Sequence, residues 1–181
     1  DELLPTLLFP CGDSGLFCGD IPRHWLPGGV IHLRGPRGNG FHLLPLARKI
    51  ALMTFDAIGV NRLLPLASQA LSMGGEVTLL SSLPLNGLAP EIELLPMDEL
   101  NHILNWADYL AVVLLPESIV HVNQILSPVF NRSRPVQVEV MLHAPMICDE
   151  NSTCGVCGIP TTHGWKLACK DGPVFRLDEL V

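Results

Sequence analysis

Four cysteines near the C-terminal end have the side chains and the spacing that metal binding requires. They are Cys148, Cys154, Cys157 and Cys169, in the pattern Cys-x5-Cys-x2-Cys-x11-Cys. Two cysteines held two residues apart can direct both sulfur atoms at one centre, and two further thiolates can complete a four-sulfur cage. Glycines at positions 155 and 158 suit a loop that turns backbone N–H groups toward those sulfurs. We therefore predict a metal centre on these four thiolates.

The spacing favours a [2Fe–2S] cluster in this centre. Plant-type [2Fe–2S] ferredoxins use Cys-x4-Cys-x2-Cys and a distant fourth cysteine, a pattern that differs from this one by a single residue. A structural zinc site can use four thiolates too, but it usually has two short cysteine pairs, and the first gap here is five residues. Two disulfides or free thiols are a third alternative, although Cys154 and Cys157 are too close for an ordinary disulfide scaffold. Zinc and disulfides stay open as alternatives.

Composition sets the class of protein. The chain has 181 residues, 48% of them hydrophobic, which is enough to bury a core. A net charge of −7 argues against nucleic acid or an anionic membrane as partner. No apolar run is long enough for a transmembrane segment, and the first residues lack the basic region of a signal peptide. Clustered cysteines without such a signal are typical of a reducing compartment, so we expect a cytoplasmic protein.

Other residues with chemical potential give weaker signals. Cys11 and Cys18 could ligate a second metal with residues from elsewhere, or be free thiols in a loop. His163 lies inside the cysteine-rich segment, but four cysteines are already present there, so we expect it in an exposed turn. Ser14 lacks the Gly-x-Ser-x-Gly context of a nucleophilic serine. We predict no catalytic residue.

Strand and helix patterns alternate before the cysteine-rich segment. Short apolar runs predict strands over residues 49–55, 76–81, 92–95, 109–115 and 136–141, and residues 30–34 alternate as a short strand does. Helical periodicity predicts helices over residues 60–73, 97–106 and 117–130. Such alternation predicts an α/β fold, an open parallel sheet flanked by helices, with a small C-terminal module. The expected divisions are an irregular segment 1–44, an α/β domain 45–144 and the cysteine module 145–181.

Five segments carry a family resemblance. They are 35–41 (Gly-Pro-Arg-Gly-Asn-Gly-Phe), 58–67 (Ile-Gly-Val-Asn-Arg-Leu-Leu-Pro-Leu-Ala), 75–80 (Gly-Glu-Val-Thr-Leu-Leu), 139–157 and 169–175. In this order they resemble the ferredoxin-reductase superfamily, and most closely the electron-transfer subunit of dihydroorotate dehydrogenase. In that family the first segment ends a flavin-binding barrel, and the last two hold a [2Fe–2S] cluster on four cysteines. The resemblance implies the same cluster ligands here.

The flavin part of the resemblance is incomplete. The resemblance implies a remnant of a flavin-binding turn, whose residues are Gly35, Pro36, Gly38, Asn39 and Gly40. The family's barrel is of domain size, and here 34 residues precede the turn, with no counterpart of its Arg-x-Tyr-Ser motif. We therefore expect most of the FAD site to be missing.

The nucleotide turn departs from the family pattern too. Where the family has Gly-Gly-Gly-Ile-Gly, this chain has Phe55-Asp56-Ala57-Ile58-Gly59. A bulky Phe55 and an anionic Asp56 would obstruct and repel a dinucleotide phosphate. The family's later Cys-Gly-Pro reads Leu114-Leu115-Pro116. We predict no productive NAD(P)H binding.

These observations predict an electron-transfer subunit of a multisubunit oxidoreductase. The [2Fe–2S] cluster would relay single electrons between cofactors of flavin- or iron–sulfur-containing partner subunits, and the chain would not be catalytic alone. One alternative is a reductase subunit of dihydroorotate dehydrogenase type that binds FAD or NAD(P)H, with another subunit completing the site. A second alternative is a zinc-stabilised assembly subunit without redox function.

Overall fold

The computed structural model describes residues 9–11, 16–18, 21–32, 38–127, 129, 136–144 and 154–180. Its strands are β1 Phe9–Cys11, β2 Leu16–Cys18, β3 Lys49–Thr54, β4 Glu76–Ser81, β5 Ile92–Leu95, β6 Tyr109–Leu114, β7 Gln137–Leu142, β8 Gly158–Thr161, β9 Gly164–Leu167 and β10 Val174–Arg176. Its α-helices are α1 Ala57–Ser72, α2 Leu100–Trp106 and α3 Ile119–Leu126.

In the described part of the chain, six strands form a central sheet in the order β10-β7-β6-β3-β4-β5. The five strands from β7 to β5 are parallel, and β10 joins the edge antiparallel to β7. Helix α1 packs on one face of the sheet, and α2 and α3 pack on the other. The predicted α/β fold with an open parallel sheet flanked by helices is confirmed.

The central strands are apolar because both faces of the sheet are covered. Every residue of β6 is buried, and β3 and β4 are buried in all but their first residue. Strands covered on two faces read as continuous apolar runs, which is why the sequence predicted these strands almost to the residue. The chain enters α1 at Asp56 and leaves it at the turn of Gly74, whose φ of 75° is readily adopted by glycine.

The C-terminal module packs against the face of the sheet that carries α2 and α3. Its hairpin, β8 and β9, is followed by β10 and by a 3₁₀ turn over Leu177–Glu179. The buried side chains of Ile159, Ala168 and Phe175 belong to the same apolar cluster as those of α3. The module therefore shares its core with the sheet.

Two features of the first 32 residues differ from the sequence predictions. Strands β1 and β2 form an antiparallel hairpin, with Pro10 opposite Phe17, that was not predicted because three-residue strands are too short to show a period. The strand expected at 30–34 is wrong for residues 30–32, which lie outside any strand. Val30 and Ile31 are 87% and 45% exposed, so these residues do not form the buried face of a strand.

In the part of the chain that the structure describes, no helix is both long enough and apolar enough to span a bilayer.

Candidate metal centre

The C-terminal hairpin brings Cys157 and Cys169 together. Cys157 directly precedes β8, and Cys169 follows β9 by one residue. Because the two strands pair antiparallel from Gly158 opposite Leu167, the start of one meets the end of the other. The Ala168 N–H donates to the Cys157 carbonyl at 3.0 Å, which holds the two segments in register. Both cysteines are buried, at 2% and 5% exposure.

The surroundings of the Cys157 thiol suit a sulfur ligand. Burial raises the pKa of this thiol, and the hydrogen-bonded side chain of Cys169 and the nearby Cys154 raise it further. A hydrogen bond between the Cys157 sulfur and the Cys169 backbone has the opposite effect and lowers this pKa. Backbone hydrogen bonds to sulfur stabilise thiolates in metal centres, where binding of the cation removes the proton.

Cys154 lies on the exposed side of the same turn. The chain turns back at Gly155, whose φ is 71°, and the Gly158 N–H donates to the Gly155 carbonyl at 3.0 Å. Cys154 and Cys157 are thiols rather than a disulfide. The fourth predicted ligand, Cys148, lies outside the described residues. Among the side chains that the structure does describe, no three His, Cys, Asp or Glu residues are grouped closely enough to hold a metal ion.

The loop that carries Cys169 is tightly closed by hydrogen bonds. The Leu167 carbonyl accepts the N–H groups of Lys170, Asp171 and Gly172 at 3.0, 2.7 and 3.3 Å. In return, the Asp171 carboxylate accepts the Leu167 N–H at 2.8 Å. The position of the Cys169 sulfur therefore depends on where this closed loop is anchored.

The turn predicted as a flavin remnant anchors that loop. Gly35 and Pro36 lie outside the described residues, and Gly40 has open space around it. The Asn39 N–H donates to the Gly172 carbonyl at 2.6 Å. The Asn39 side-chain amide donates to the Val174 carbonyl at 2.8 Å and accepts the Val174 N–H at 2.9 Å.

Gly38 allows this close approach. Its φ is 68°, and a methyl group in place of its hydrogen would overlap the Gly172 carbonyl oxygen.

The nucleotide-like turn is occupied by the chain itself. The Asp56 carboxylate accepts the Gly59 N–H at 2.6 Å and so caps the first turn of α1. A methyl group on Gly59 would overlap the Thr54 hydroxyl, because strand and helix pack in contact there. This turn and Leu115 follow β3 and β6, the adjacent strands where the order of the sheet reverses. Doubly wound sheets bind ligands at that reversal, and here its helix terminus already holds a carboxylate.

Sequence reasoning did not identify a buried polar cluster around Glu139. Glu139 is 5% exposed, and its carboxylate accepts hydrogen bonds from the Tyr109 hydroxyl at 2.6 Å, the His42 N–H at 2.8 Å and the Gln137 side chain at 3.0 Å. Burial, together with the Glu139 carboxylate, raises the pKa of the Tyr109 phenol. A charged residue within the apolar run of β7 was the signal that could have found this cluster.

His163 lies at the exposed turn between β8 and β9. The Thr161 hydroxyl donates to the Gly164 carbonyl at 2.6 Å and receives the His163 N–H at 3.3 Å, which closes the turn. The expected exposed turn is therefore found at residues 162–164, whereas Thr161 is buried.

Comparison with known proteins identifies the cysteine module. Residues 152–181 match the family described as the iron–sulfur cluster binding domain of dihydroorotate dehydrogenase B. Residues 152–181 are thus similar to an iron–sulfur-binding domain. This match covers the described cysteines Cys154, Cys157 and Cys169, and the resemblance that the sequence motifs indicated is confirmed.

One curated relative and one solved structure are also similar to parts of this chain. Sulfhydrogenase 1 subunit gamma from Pyrococcus furiosus is 42% identical over 48 residues, which are 26% of this chain and 16% of that subunit. The chain thus matches less than a fifth of that relative's length. A NADH-dependent reduced ferredoxin–NADP oxidoreductase, solved in a study of flavin-based electron bifurcation, superposes with a TM-score of 0.66 at 19% identity. That superposition covers 93% of this chain and 70% of the oxidoreductase chain, so the two share a fold.

Proposed function

We propose that this chain is an electron-transfer subunit that holds a [2Fe–2S] cluster on Cys148, Cys154, Cys157 and Cys169. The observation that carries the proposal is the buried pair Cys157 and Cys169, brought together by the β8–β9 hairpin inside the segment that matches an iron–sulfur-binding family. The donor set fits the group: Cys157 and Cys169 lie in the apolar core cluster, and the Cys157 sulfur has a hydrogen bond to the Cys169 backbone.

The chain's own residues would give the centre one protected and one accessible side. Such a cluster supplies one-electron transfer when it is bound. Cys157 and Cys169 are buried and keep water from the inner side, whereas Cys154 is exposed. The exposed side is where a partner subunit's cofactor would approach. Partner subunits belong to the proposal because the sulfhydrogenase relative is named as a subunit.

The rest of the chain supports a relay rather than a complete reductase. The Asp56 carboxylate caps α1 where a nucleotide phosphate would bind. The side chain of Asn39, in the turn that resembles a flavin-binding turn, is hydrogen-bonded to the backbone of Val174. Both features oppose binding of NAD(P)H and FAD by this chain alone. In this proposal the electrons come from, and go to, cofactors of other subunits, and no residue of this chain is catalytic.

Metal and sulfide analysis of cysteine variants tests the proposal. The full chain is purified without oxygen, and iron, acid-labile sulfide and zinc are measured for wild type and for Cys148→Ser, Cys154→Ser, Cys157→Ser and Cys169→Ser. We expect about two iron and two sulfide per wild-type chain and a loss of most of both in each variant. Cys18→Ser, the same change outside the module, should retain both.

Two results would contradict the proposal. One equivalent of zinc without sulfide would indicate the assembly subunit instead. Full iron and sulfide in any of the four variants would remove that cysteine from the ligand set.

A further inference from the structure

We infer that Asn39 is a positioning residue for the cysteine centre: it fixes the Cys169 loop against Cys157 from a distant part of the sequence. The inference deepens the proposed function and rests on it, since the loop matters through the sulfur that it carries. It gives the Gly38–Asn39 turn a role that does not involve flavin.

The contacts of Asn39 all fall on one short stretch of chain. Its backbone N–H donates to the Gly172 carbonyl at 2.6 Å. Its side-chain amide donates to the Val174 carbonyl at 2.8 Å and accepts the Val174 N–H at 2.9 Å. A weaker contact joins the same amide to the Asp171 carbonyl at 3.5 Å. These bonds bracket the Gly172–Pro173 peptide immediately after the Cys169 loop.

The loop transmits this anchorage to the sulfur. Residues 170, 171 and 172 all donate to the Leu167 carbonyl, and Asp171 caps the Leu167 N–H, so the loop moves as one unit. At its far end, the Pro173 carbonyl accepts the Leu142 N–H at 2.9 Å from β7. In Asn39→Ala the backbone N–H bond to Gly172 remains, so this bond, the Leu142 bond and the β10 pairing would hold the end of the loop without the side-chain pair on Val174.

A side chain that pins a ligand loop controls the ligand's position. Supporting groups around metal ligands typically change metal affinity by about 10- to 100-fold when they are removed. Asn39 fits this description because both ends of its amide are used and the partners are backbone atoms, which cannot rotate away. Its effect should therefore be specific to Cys169, with little change at Cys157.

The first test measures thiol labelling of the metal-free full chain with iodoacetamide, read by mass spectrometry for each cysteine. Exposed Cys154 calibrates the reagent, and buried Cys157 reports general opening of the fold. In Asn39→Ala we expect Cys169 to label at least about tenfold faster than in wild type, with the Cys157 rate changed less than about threefold. Asn101→Ala, an exposed asparagine on α2, should match wild type at every site.

The second test uses the chain loaded with its cluster. We expect Asn39→Ala to lose iron to a chelator about tenfold faster or more, and to shift the electron paramagnetic resonance signal of the reduced centre. Asn39→Asp keeps the acceptor for the Val174 N–H but loses the donor, so its rate of iron loss should lie between those of wild type and Asn39→Ala. If Asn39→Ala does not fold, Asn39→Asp replaces it in both tests.

Equal acceleration of Cys157 and Cys169 labelling would overturn the inference, because it would mean a general loss of stability. Wild-type labelling of Cys169 would overturn it as well. If the wild-type chain holds no iron and sulfide, the proposed function fails separately. The ratio of Cys169 to Cys157 labelling then decides the inference alone.

Discussion

Glu139 is a buried carboxylate whose hydrogen-bond donors come from three separate places in the chain. They are the Tyr109 hydroxyl on β6, the Gln137 side chain on β7 and the His42 N–H in the segment before the sheet. A buried charge is tolerated where several donors replace water, and removing one donor leaves an incompletely solvated carboxylate. Glu139 therefore ties the segment that carries Asn39 to the sheet.

Replacing Tyr109 with phenylalanine should destabilise the fold. The change removes a 2.6 Å hydrogen bond to a carboxylate in the core, and hydrogen bonds to charged groups contribute about 1.5–3 kcal/mol. We expect a loss of that size in the free energy of unfolding in urea at pH 7. A double-mutant cycle with Glu139→Gln is the control. Additive effects of the two changes would show that the pair contributes nothing.

The same tyrosine predicts a pH dependence. Burial, together with Glu139, raises the pKa of Tyr109 above its usual value of 10.0, so the folded chain keeps the proton after the unfolded chain has lost it. This contribution is complete below pH 10 and decreases above it, by about 1.4 kcal/mol per pH unit.

The measurement is the difference in unfolding free energy between wild type and Tyr109→Phe from pH 9 to 11. Tyr109 is the single tyrosine of the chain, so phenolate absorbance reports on it directly. The phenolate should appear only on unfolding. Its appearance near pH 10 in folded protein would contradict the buried hydrogen bond.

At the scale of elements, helix α1 shows how a nucleotide-like turn becomes a structural cap. Asp56 has the extended backbone of an N-cap residue, and its carboxylate accepts the Gly59 N–H. A carboxylate at this position also interacts favourably with the positive end of the helix dipole. The terminus that would bind a phosphate is thereby used to stabilise the helix.

Asp56→Ala should lower the free energy of unfolding by about 0.5–2 kcal/mol, because the cap is lost. Asp56→Ser keeps an oxygen acceptor and should retain most of the stability. Thermal or urea unfolding followed by circular dichroism compares the two. Equal stability of Asp56→Ala and wild type would mean that the Gly59 hydrogen bond is not important in solution.

The sequence predicted the sheet well and the site contacts poorly. Strands such as Glu76–Ser81 and Tyr109–Leu114 were found because strands of a covered parallel sheet are short apolar runs between turns. The cysteine spacing directed attention to the module because four thiols in 22 residues are a local pattern. Asn39 and Val174 lie 135 residues apart, and no local pattern reports such a pair.

At the scale of the whole molecule, the C-terminal module is held both by the central sheet and by the segment that precedes β3. Strand β10 continues the sheet edge, and the apolar side chains of the module share the core with α2 and α3. On the other side, Asn39 and His42 connect the segment before β3 to Val174 and Glu139. The position of the cysteine loop is therefore set by the fold as a whole.

The chain should not bind a dinucleotide at the reversal point of its sheet. The reversal point of the sheet carries Phe55 and Leu115, each more than a third exposed, beside the Asp56 cap. We expect no heat of binding when NADH or NADPH is titrated into the chain at about millimolar concentration, well above the range of ordinary cofactor sites. A dissociation constant below about 0.1 mM would contradict this account of the turn.

The central claim is that the cysteine module carries one-electron chemistry, and one measurement tests it most directly. Visible and electron paramagnetic resonance spectra of the anaerobically purified chain are recorded before and after addition of dithionite. We predict visible absorbance that bleaches on reduction and an S = 1/2 signal that appears with it, both missing in Cys157→Ser. A colourless chain that contains zinc and gives no signal after reduction would contradict the claim.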